Sequence, residues 1–341
     1  MGSESNEKLS EAELCPPELL ENQESLYLKD VRELLLSRID EYTNVPCPAC
    51  NSAANSPIFR KYNFDFVRCV DCRTIFMNPR PTPSILADYY QNAKSYEFWA
   101  KSIFPASETV RRDKIHQPWF EKIMNYCRDH RIPTDTIVEV GAGFGTFCEI
   151  AQTSGLFERV IAVEPTPSLA AHCRNRNLET LELCVEALKP NCFTADVIVS
   201  FEVIEHVFSP TQFVKQLKSC LRPGGLLVLS CPNGEGFDIA TLGAESLAVD
   251  AEHITLFNPN SLTLMLERLG FTVLDVSTPG RLDAEFVRQA ALEERINLSQ
   301  QPFLKRVLLD EWDRLGWSFQ TFLAENCLSS HMWTVARLSD E

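Results

Sequence analysis

The chain has 341 residues, 45% of them hydrophobic and 23% charged, and a net charge of −15. That length has room for two domains, or for one large domain with an appendage. The acidic balance argues against a nucleic-acid or membrane-surface partner, since either needs a basic field.

The N-terminus, Met1 to Ser25, is acidic and polar. It carries neither the basic region nor the apolar core of a signal peptide, and we expect a mobile tail there. No run of about 18 apolar residues predicts a membrane span. Thirteen cysteines is an odd number in a chain too long to need disulfide staples, which predicts a reducing, cytoplasmic setting. From Leu26 to Tyr42, apolar residues recur at helical spacing (Leu28, Val31, Leu34, Leu35, Ile39). This predicts an amphipathic helix packed on a neighbour.

Two pairs follow, Cys47-Pro48-Ala49-Cys50 and Cys69-Val70-Asp71-Cys72. Each C-x2-C places two thiolates on one tight knuckle, and two knuckles supply the four sulfurs of a structural zinc site. We expect Zn2+ on Cys47, Cys50, Cys69 and Cys72, in a small ribbon over 46–79. Four such ligands leave no open coordination position, so the role is folding. Asn78-Pro79-Arg80-Pro81-Thr82-Pro83 reads as a stiff connector. The stretch Ser84 to Phe104 is rich in aromatics (Tyr89, Tyr90, Tyr96, Phe98, Trp99). It reads as a lid over a pocket or as the packing face between ribbon and main domain. Val110 to His130 reads as a helix with a bend near Pro118.

From Pro133 onward, strand and helix patterns alternate. Thr136-Ile137-Val138, Val160 to Val163, Leu181 to Val185, Ala195 to Ser200, Leu226 to Cys231, Phe271 to Val276 and His331 to Leu338 read as strands. Helices fit Pro167–Arg176, Thr211–Leu221 and Asn260–Leu269, and 281–330 reads as a helical excursion. The alternation predicts an α/β fold: a mostly parallel, seven-stranded Rossmann-like sheet with helices on both faces. Ligands of such sheets bind at the carboxyl ends of the strands.

The first strand leads into Glu139-Val140-Gly141-Ala142-Gly143-Phe144-Gly145. Three alternate glycines allow a sharp turn and a close approach of backbone to ligand. The third glycine comes one residue too early for the dinucleotide fingerprint. Glu164, at the end of the second strand, is placed to accept both hydroxyls of a ribose. A carboxylate at Glu139 suits a cationic cofactor better than a pyrophosphate.

E-V-G-A-G-F-G resembles the first motif of class I S-adenosylmethionine (SAM) dependent methyltransferases. Asp196 to Val207 (D-V-I-V-S-F-E-V-I-E-H-V) and Leu221 to Asn233 (L-R-P-G-G-L-L-V-L-S-C-P-N) resemble later segments of that family. The first is similar to the ubiquinone-pathway O-methyltransferases. The cysteine pairs followed by N-P-R-P-T resemble bacterial methyltransferases with an N-terminal zinc-binding segment, deoxysugar C-methyltransferases among them. The resemblance implies an enzyme with SAM as co-substrate. It implies that Gly141, Gly143, Phe144 and Gly145 surround the methionine part, and that Glu164 holds the ribose. Val185 and Glu186 would lie near the adenine, and Phe201 would back the cofactor. The usual Gly-Asp near the adenine is replaced here by Cys184-Val185. The implied division is a tail and helix over 1–45, the ribbon over 46–79, a linker and lid over 80–130, and the methyltransferase domain over 131–341.

Glu202, Glu205 and His206 directly follow the fourth strand. At i, i+3 and i+4 they would share one face of a helical turn. Three uses stand open. Glu205 with His206 forms a general base, as implied by the deoxysugar C-methyltransferases. Glu202, Glu205 and His206 bind a divalent metal with His253 as a fourth ligand, as implied by E-x-x-E-H in ubiquinone-pathway and small-RNA 2′-O-methyltransferases. Or the three groups only cap and pair locally. His116, His130, His172 and His331 show no partner pattern and read as structural or exposed. The nine cysteines outside the ribbon read as small buried hydrophobes. The expected acceptor is a small polar metabolite, such as a nucleotide-linked sugar or a natural-product or cell-surface intermediate. The alternatives are metal-assisted O-methylation of RNA or of a small-molecule hydroxyl, a catalytically silent SAM-binding protein, and an NAD-dependent enzyme.

Overall fold

The computed structural model describes residues 9–188 and 192–340; the side chain of Glu186 lies outside the described set. Eleven strands occur among these residues: β1 (Asn55–Lys61), β2 (Phe64–Cys69), β3 (Ile75–Met77), β4 (Thr136–Val140), β5 (Arg159–Val163), β6 (Glu179–Leu181), β7 (Ala195–Phe201), β8 (Leu221–Pro232), β9 (Thr255–Leu256), β10 (Phe271–Ser277) and β11 (His331–Leu338).

Seven of them form one sheet in the order β10-β11-β8-β7-β4-β5-β6. The five strands from β8 to β6 pair parallel, whereas β11 is antiparallel to both its neighbours. This is the Rossmann-like, mostly parallel sheet that the alternating pattern predicts. Both faces are covered, so its central strand can be apolar throughout, and all seven residues of β7 are buried. The helices Pro167–Asn175, Pro210–Cys220 and Pro259–Arg268 each open on a proline, whose missing N–H costs nothing at a first helical position. The Ser209 and Asn258 side chains cap the last two by accepting from Gln212 and Ser261 backbone N–H groups.

The order 3-2-1-4-5-7-6, written by position in the large sheet, reverses between β4 and β7. That switch point puts the end of β4, and the turn after it, beside the end of β7. Because β11 runs backwards, its first residue, His331, also reaches the carboxyl edge, opposite Pro232.

The cysteine segment folds as the antiparallel set β1-β2-β3. Its sheet is completed by β9, which comes from the far side of the glycine motif in sequence. The ribbon is therefore built into the main body.

Three expectations need correction. Residues 9–25 of the expected tail are largely helical, in Glu11–Leu14 and Pro17–Asp30, and the latter runs on through Val31–Leu35 and Leu36–Glu41. The rest of that tail, residues 1–8, lies outside the described residues. The third strand is Glu179–Leu181, and Val185 sits in a 3-10 turn, Val185–Ala187. Its register against β5 ends at Leu181, which pairs with Val163. Of the nine cysteines outside the ribbon, Cys184, Cys192 and Cys327 are exposed.

Candidate active site

The glycine turn follows β4 directly. Gly141 and Ala142 donate their N–H groups to the Val163 carbonyl, which folds the chain back over the end of β5. Gly141 has φ +81°, and a Cβ there would meet Val203 Cγ2 at 2.4 Å. Gly143 has φ +54°, but a Cβ there would meet nothing within 4 Å. The first glycine is needed for packing, and the second faces open space where a ligand can approach.

Glu164 is tied to this turn. One carboxylate oxygen accepts from the Gly143 N–H at 2.9 Å and the other from the Thr166 N–H at 2.8 Å. Glu139 is buried beneath it and accepts from the Cys148 thiol at 3.1 Å. Burial pushes the Glu139 carboxyl up to about 8. Phe201, at the end of β7, is buried between Trp119, Phe147 and Trp333. Val185 is buried as well.

The aromatic segment after the connector packs on both the glycine turn and the ribbon. Phe104 stacks on Phe144 with centroids 3.8 Å apart, and Trp99 packs against both rings. It therefore covers the glycine turn. Tyr89, Tyr90 and Tyr96 form an edge-to-face triad. Tyr89 packs in one core with Phe64 and Phe66 of the ribbon, and its hydroxyl donates to Glu252 Oε1 at 2.5 Å.

Glu202, Glu205 and His206 do not share one face of a helical turn. The segment after β7 is a tight non-helical turn, and Glu202 takes φ +53°. The left-handed backbone at Glu202 sends the three side chains to two places. Glu202 accepts from the Ser230 hydroxyl at 2.6 Å and lies 3.0 Å from His331 Nε2. Burial works to raise the Glu202 carboxyl, but His331 and Ser230 outweigh it and hold it down to about 2. His331 therefore has a partner, contrary to expectation, and it also stacks on Trp119.

Glu205 and His206 converge instead with His253. One donor atom from each lies within 4.8 Å of the others. The Glu205 carboxylate is fully buried and neither oxygen has a hydrogen-bond partner. Its Oε1 is 3.8 Å from His206 Nε2, too far for a hydrogen bond. His206 Nδ1 lies 3.2 Å from the Glu252 carbonyl, and His253 Nδ1 lies 2.9 Å from the Ala248 carbonyl. With Nδ1 donating in each ring, Nε2 is left as an acceptor, the arrangement that metal-binding imidazoles use. Burial, then the neighbouring His253, lowers His206 to about 3, so the ring is neutral and able to donate its lone pair. Burial works to lower His253, but Asp250, 3.3 Å from its Nδ1, and the Ala248 carbonyl outweigh it and raise that ring. The donor set of one carboxyl and two imidazoles fits a divalent cation that takes the place of the His253 proton.

Far from this cluster in sequence, Cys47 and Cys72 Sγ atoms are 3.5 Å apart and those of Cys50 and Cys69 are 3.4 Å apart. All four sulfurs lie within 4.8 Å of one another. A tetrahedral zinc with bonds near 2.3 Å needs sulfurs about 3.8 Å apart, so the four residues fit that ion.

Residues 110–276 match the family model described as a methyltransferase domain. A probable SAM-dependent methyltransferase of Mycolicibacterium smegmatis is 31% identical over 168 residues, 46% of this chain and 60% of that protein. A ubiquinone biosynthesis O-methyltransferase of Bradyrhizobium diazoefficiens is 33% identical over 117 residues, 32% of this chain and 45% of that protein. The chain thus spans about half the length of these curated relatives. A solved SAM-dependent methyltransferase of Clostridium acetobutylicum aligns with a TM-score of 0.45 and 11% identity, covering 72% of this chain and 98% of that one. A methyltransferase domain is thus matched over 110–276, and the relatives it resembles are SAM-dependent methyltransferases. No helix among the described residues is long and apolar enough to cross a membrane.

Proposed function

We propose that this protein transfers the methyl group of SAM to a hydroxyl of a small polar acceptor. In this reading Glu205, His206 and His253 hold a divalent cation, and the four ribbon cysteines hold a structural zinc. The observation that carries the cation is the buried Glu205 carboxylate, which has no hydrogen-bond partner and faces two imidazole nitrogens. Burial, then Glu202, raise the Glu205 carboxyl well above its ordinary range; a buried carboxyl without a partner is costly in either form, and a cation exchanged for its proton would remove that cost.

Gly141, Gly143, Phe144 and Gly145 would bind the methionine part, Glu164 the ribose, and Phe201 would wall the cofactor. Val185 and Glu186 remain candidates for the adenine. Trp99 and Phe104 would act as a lid that keeps water from the turn. A bound cation would lower the pKa of an acceptor hydroxyl and fix its orientation. The chain's main contribution is to align that oxygen with the methyl group for in-line displacement. The acceptor oxygen bonds to the methyl carbon as the C–S bond breaks, the C–S electrons stay on sulfur to give S-adenosylhomocysteine, and the hydroxyl proton passes to solvent water.

A second reading has one observation in its favour. Glu202 and His331 form the close carboxylate–imidazole pair, 3.0 Å apart, that Glu205 and His206 do not. A metal-free route would use that pair as the general base, on a carbon acid or a hydroxyl of a nucleotide-linked sugar. Calorimetry with Mn2+ separates the two. One Mn2+ per chain, lost in His253→Ala, supports the cation reading. Absence of Mn2+ binding by the zinc-loaded protein leaves the Glu202–His331 route.

A further inference from the structure

Arg80, in the proline-rich connector, is fully buried. Its Nε donates to the Met77 carbonyl at 3.3 Å and its Nη1 to the Phe208 carbonyl at 3.0 Å. Its Nη2 donates to the Ile254 carbonyl at 3.0 Å and to Thr255 Oγ1 at 3.2 Å. All four bonds go to uncharged oxygens, an unusual fate for a buried guanidinium. The acceptors belong to the two segments that supply the Glu205-His206-His253 cluster and to the ribbon strand that pairs beside one of them. Phe208 lies two residues after His206, Ile254 directly follows His253, and Met77 ends β3 of the ribbon.

Further bonds bind the same three segments. Met77 N–H donates to the Ile254 carbonyl at 3.0 Å, and Thr255 N–H donates to the Glu205 carbonyl at 3.1 Å. The cysteine knuckles contribute as well. The Cys72 carbonyl accepts from the Asn258 amide, the Pro48 carbonyl from the Thr211 hydroxyl, and the Cys50 carbonyl from Arg268. Each of these partners lies on a helix, or its cap, that leaves the candidate site. The ribbon thus grips both loops that supply Glu205, His206 and His253.

We propose that Arg80 is a positioning residue: with the cysteine ribbon behind it, its guanidinium fixes the spacing between the Glu205-His206 turn and the His253 loop and so sets the affinity of the cation site. This rests on the cation reading above. The guanidinium joins the ribbon, through Met77, to both loops, through Phe208 and Ile254.

The test uses full-length, zinc-quantified protein and two probes, Mn2+ and S-adenosylhomocysteine, titrated separately by calorimetry. Arg80→Met should keep its zinc and bind S-adenosylhomocysteine within threefold of wild type. It should bind Mn2+ at least tenfold more weakly. Arg80→Lys, which keeps charge but not the fork of donors, should fall between. Should Arg80→Met give no folded protein, Arg80→Lys and Thr255→Val carry the test, with Mn2+ weakened and S-adenosylhomocysteine unchanged. Mn2+ affinity within twofold of wild type in a variant that still binds S-adenosylhomocysteine overturns the proposal. So does parallel loss of both ligands, which marks Arg80 as a general packing residue. Wild-type protein that binds S-adenosylhomocysteine but no Mn2+ removes the cation reading itself and the inference with it.

Discussion

Phe104 and Phe144 stack face to face, with ring centroids 3.8 Å apart and planes within 4°. One ring belongs to the aromatic segment and the other to the glycine turn, so that segment rests on a residue assigned to the cofactor. An ion-pair network fastens the same helix, Phe104–Arg111, one turn further along the face that carries Phe104. Glu108 pairs with Arg176, and Glu149 pairs with Arg176 and Arg112.

Removing this stack should loosen the cover without unfolding the sheet. A stacked aromatic pair contributes about 0.5–1.5 kcal/mol beyond burial. Phe104→Ala is therefore expected to weaken S-adenosylhomocysteine binding by about three- to tenfold. Calorimetry checks this, and limited proteolysis near residues 99–116 should quicken in parallel. Unchanged affinity would mean the lid does not cover the ligand.

Two of the turn's three glycines, Gly141 and Gly143, should respond differently to alanine. At Gly141 the added Cβ would strike Val203 at 2.4 Å, so the melting temperature should fall by several degrees along with ligand binding. At Gly143 there is space, and the positive φ alone costs roughly 1–2 kcal/mol. Gly143→Ala should fold, with a modest loss of stability, yet bind S-adenosylhomocysteine at least tenfold more weakly. Equal binding by the Gly143 variant would place the ligand elsewhere.

Much of the fold was legible because β4, β5, β7 and β8 are short apolar runs flanked by helix starts, a pattern that local chemistry writes plainly. The helix Pro17–Asp30 was hidden by its polar run Glu21 to Ser25, which reads as a tail until the ribbon core that it packs on is known. The site was legible in its residue types but not in its pairing. E-x-x-E-H spacing implies a helical face, whereas Glu202 takes a left-handed backbone that no spacing reveals. His331 is 129 residues from Glu202, and Arg80 is 128 from Phe208. Such partners are brought together by topology: the antiparallel β11 and the β3–β9 pairing.

Glu139 gives a pH dependence with a definite sign. Its carboxyl is raised from 4.5 to about 8 in the folded state, first by burial. A group raised on folding contributes its stability at low pH and loses it as pH rises through the folded value. The protein should therefore lose stability from Glu139 between about pH 4.5 and 8, by an amount on the order of a few kcal/mol. Glu139→Gln should flatten this part of the profile in urea melts taken from pH 5 to 8.5. A slope unchanged by the substitution would show that Glu139 ionises freely in the fold.

Cys47→Ser should remove one of four zinc ligands. The variant is expected to carry well under one zinc per chain by atomic absorption and to melt at a clearly lower temperature, since a structural zinc contributes folding energy directly. A strong chelator should lower the wild-type melting temperature in the same way. Full zinc content in the variant would contradict a four-cysteine site.

The most direct test of the central claim is a thermal-shift measurement on zinc-quantified protein with S-adenosylhomocysteine and, separately, NADH. At 100 times its dissociation constant, a ligand of the folded state adds about 2.7 kcal/mol of stability. The account predicts a clear upward shift with S-adenosylhomocysteine and none with NADH. A shift with NADH and none with S-adenosylhomocysteine would contradict it, and the glycine turn from Gly141 to Gly145 would then serve a different cofactor.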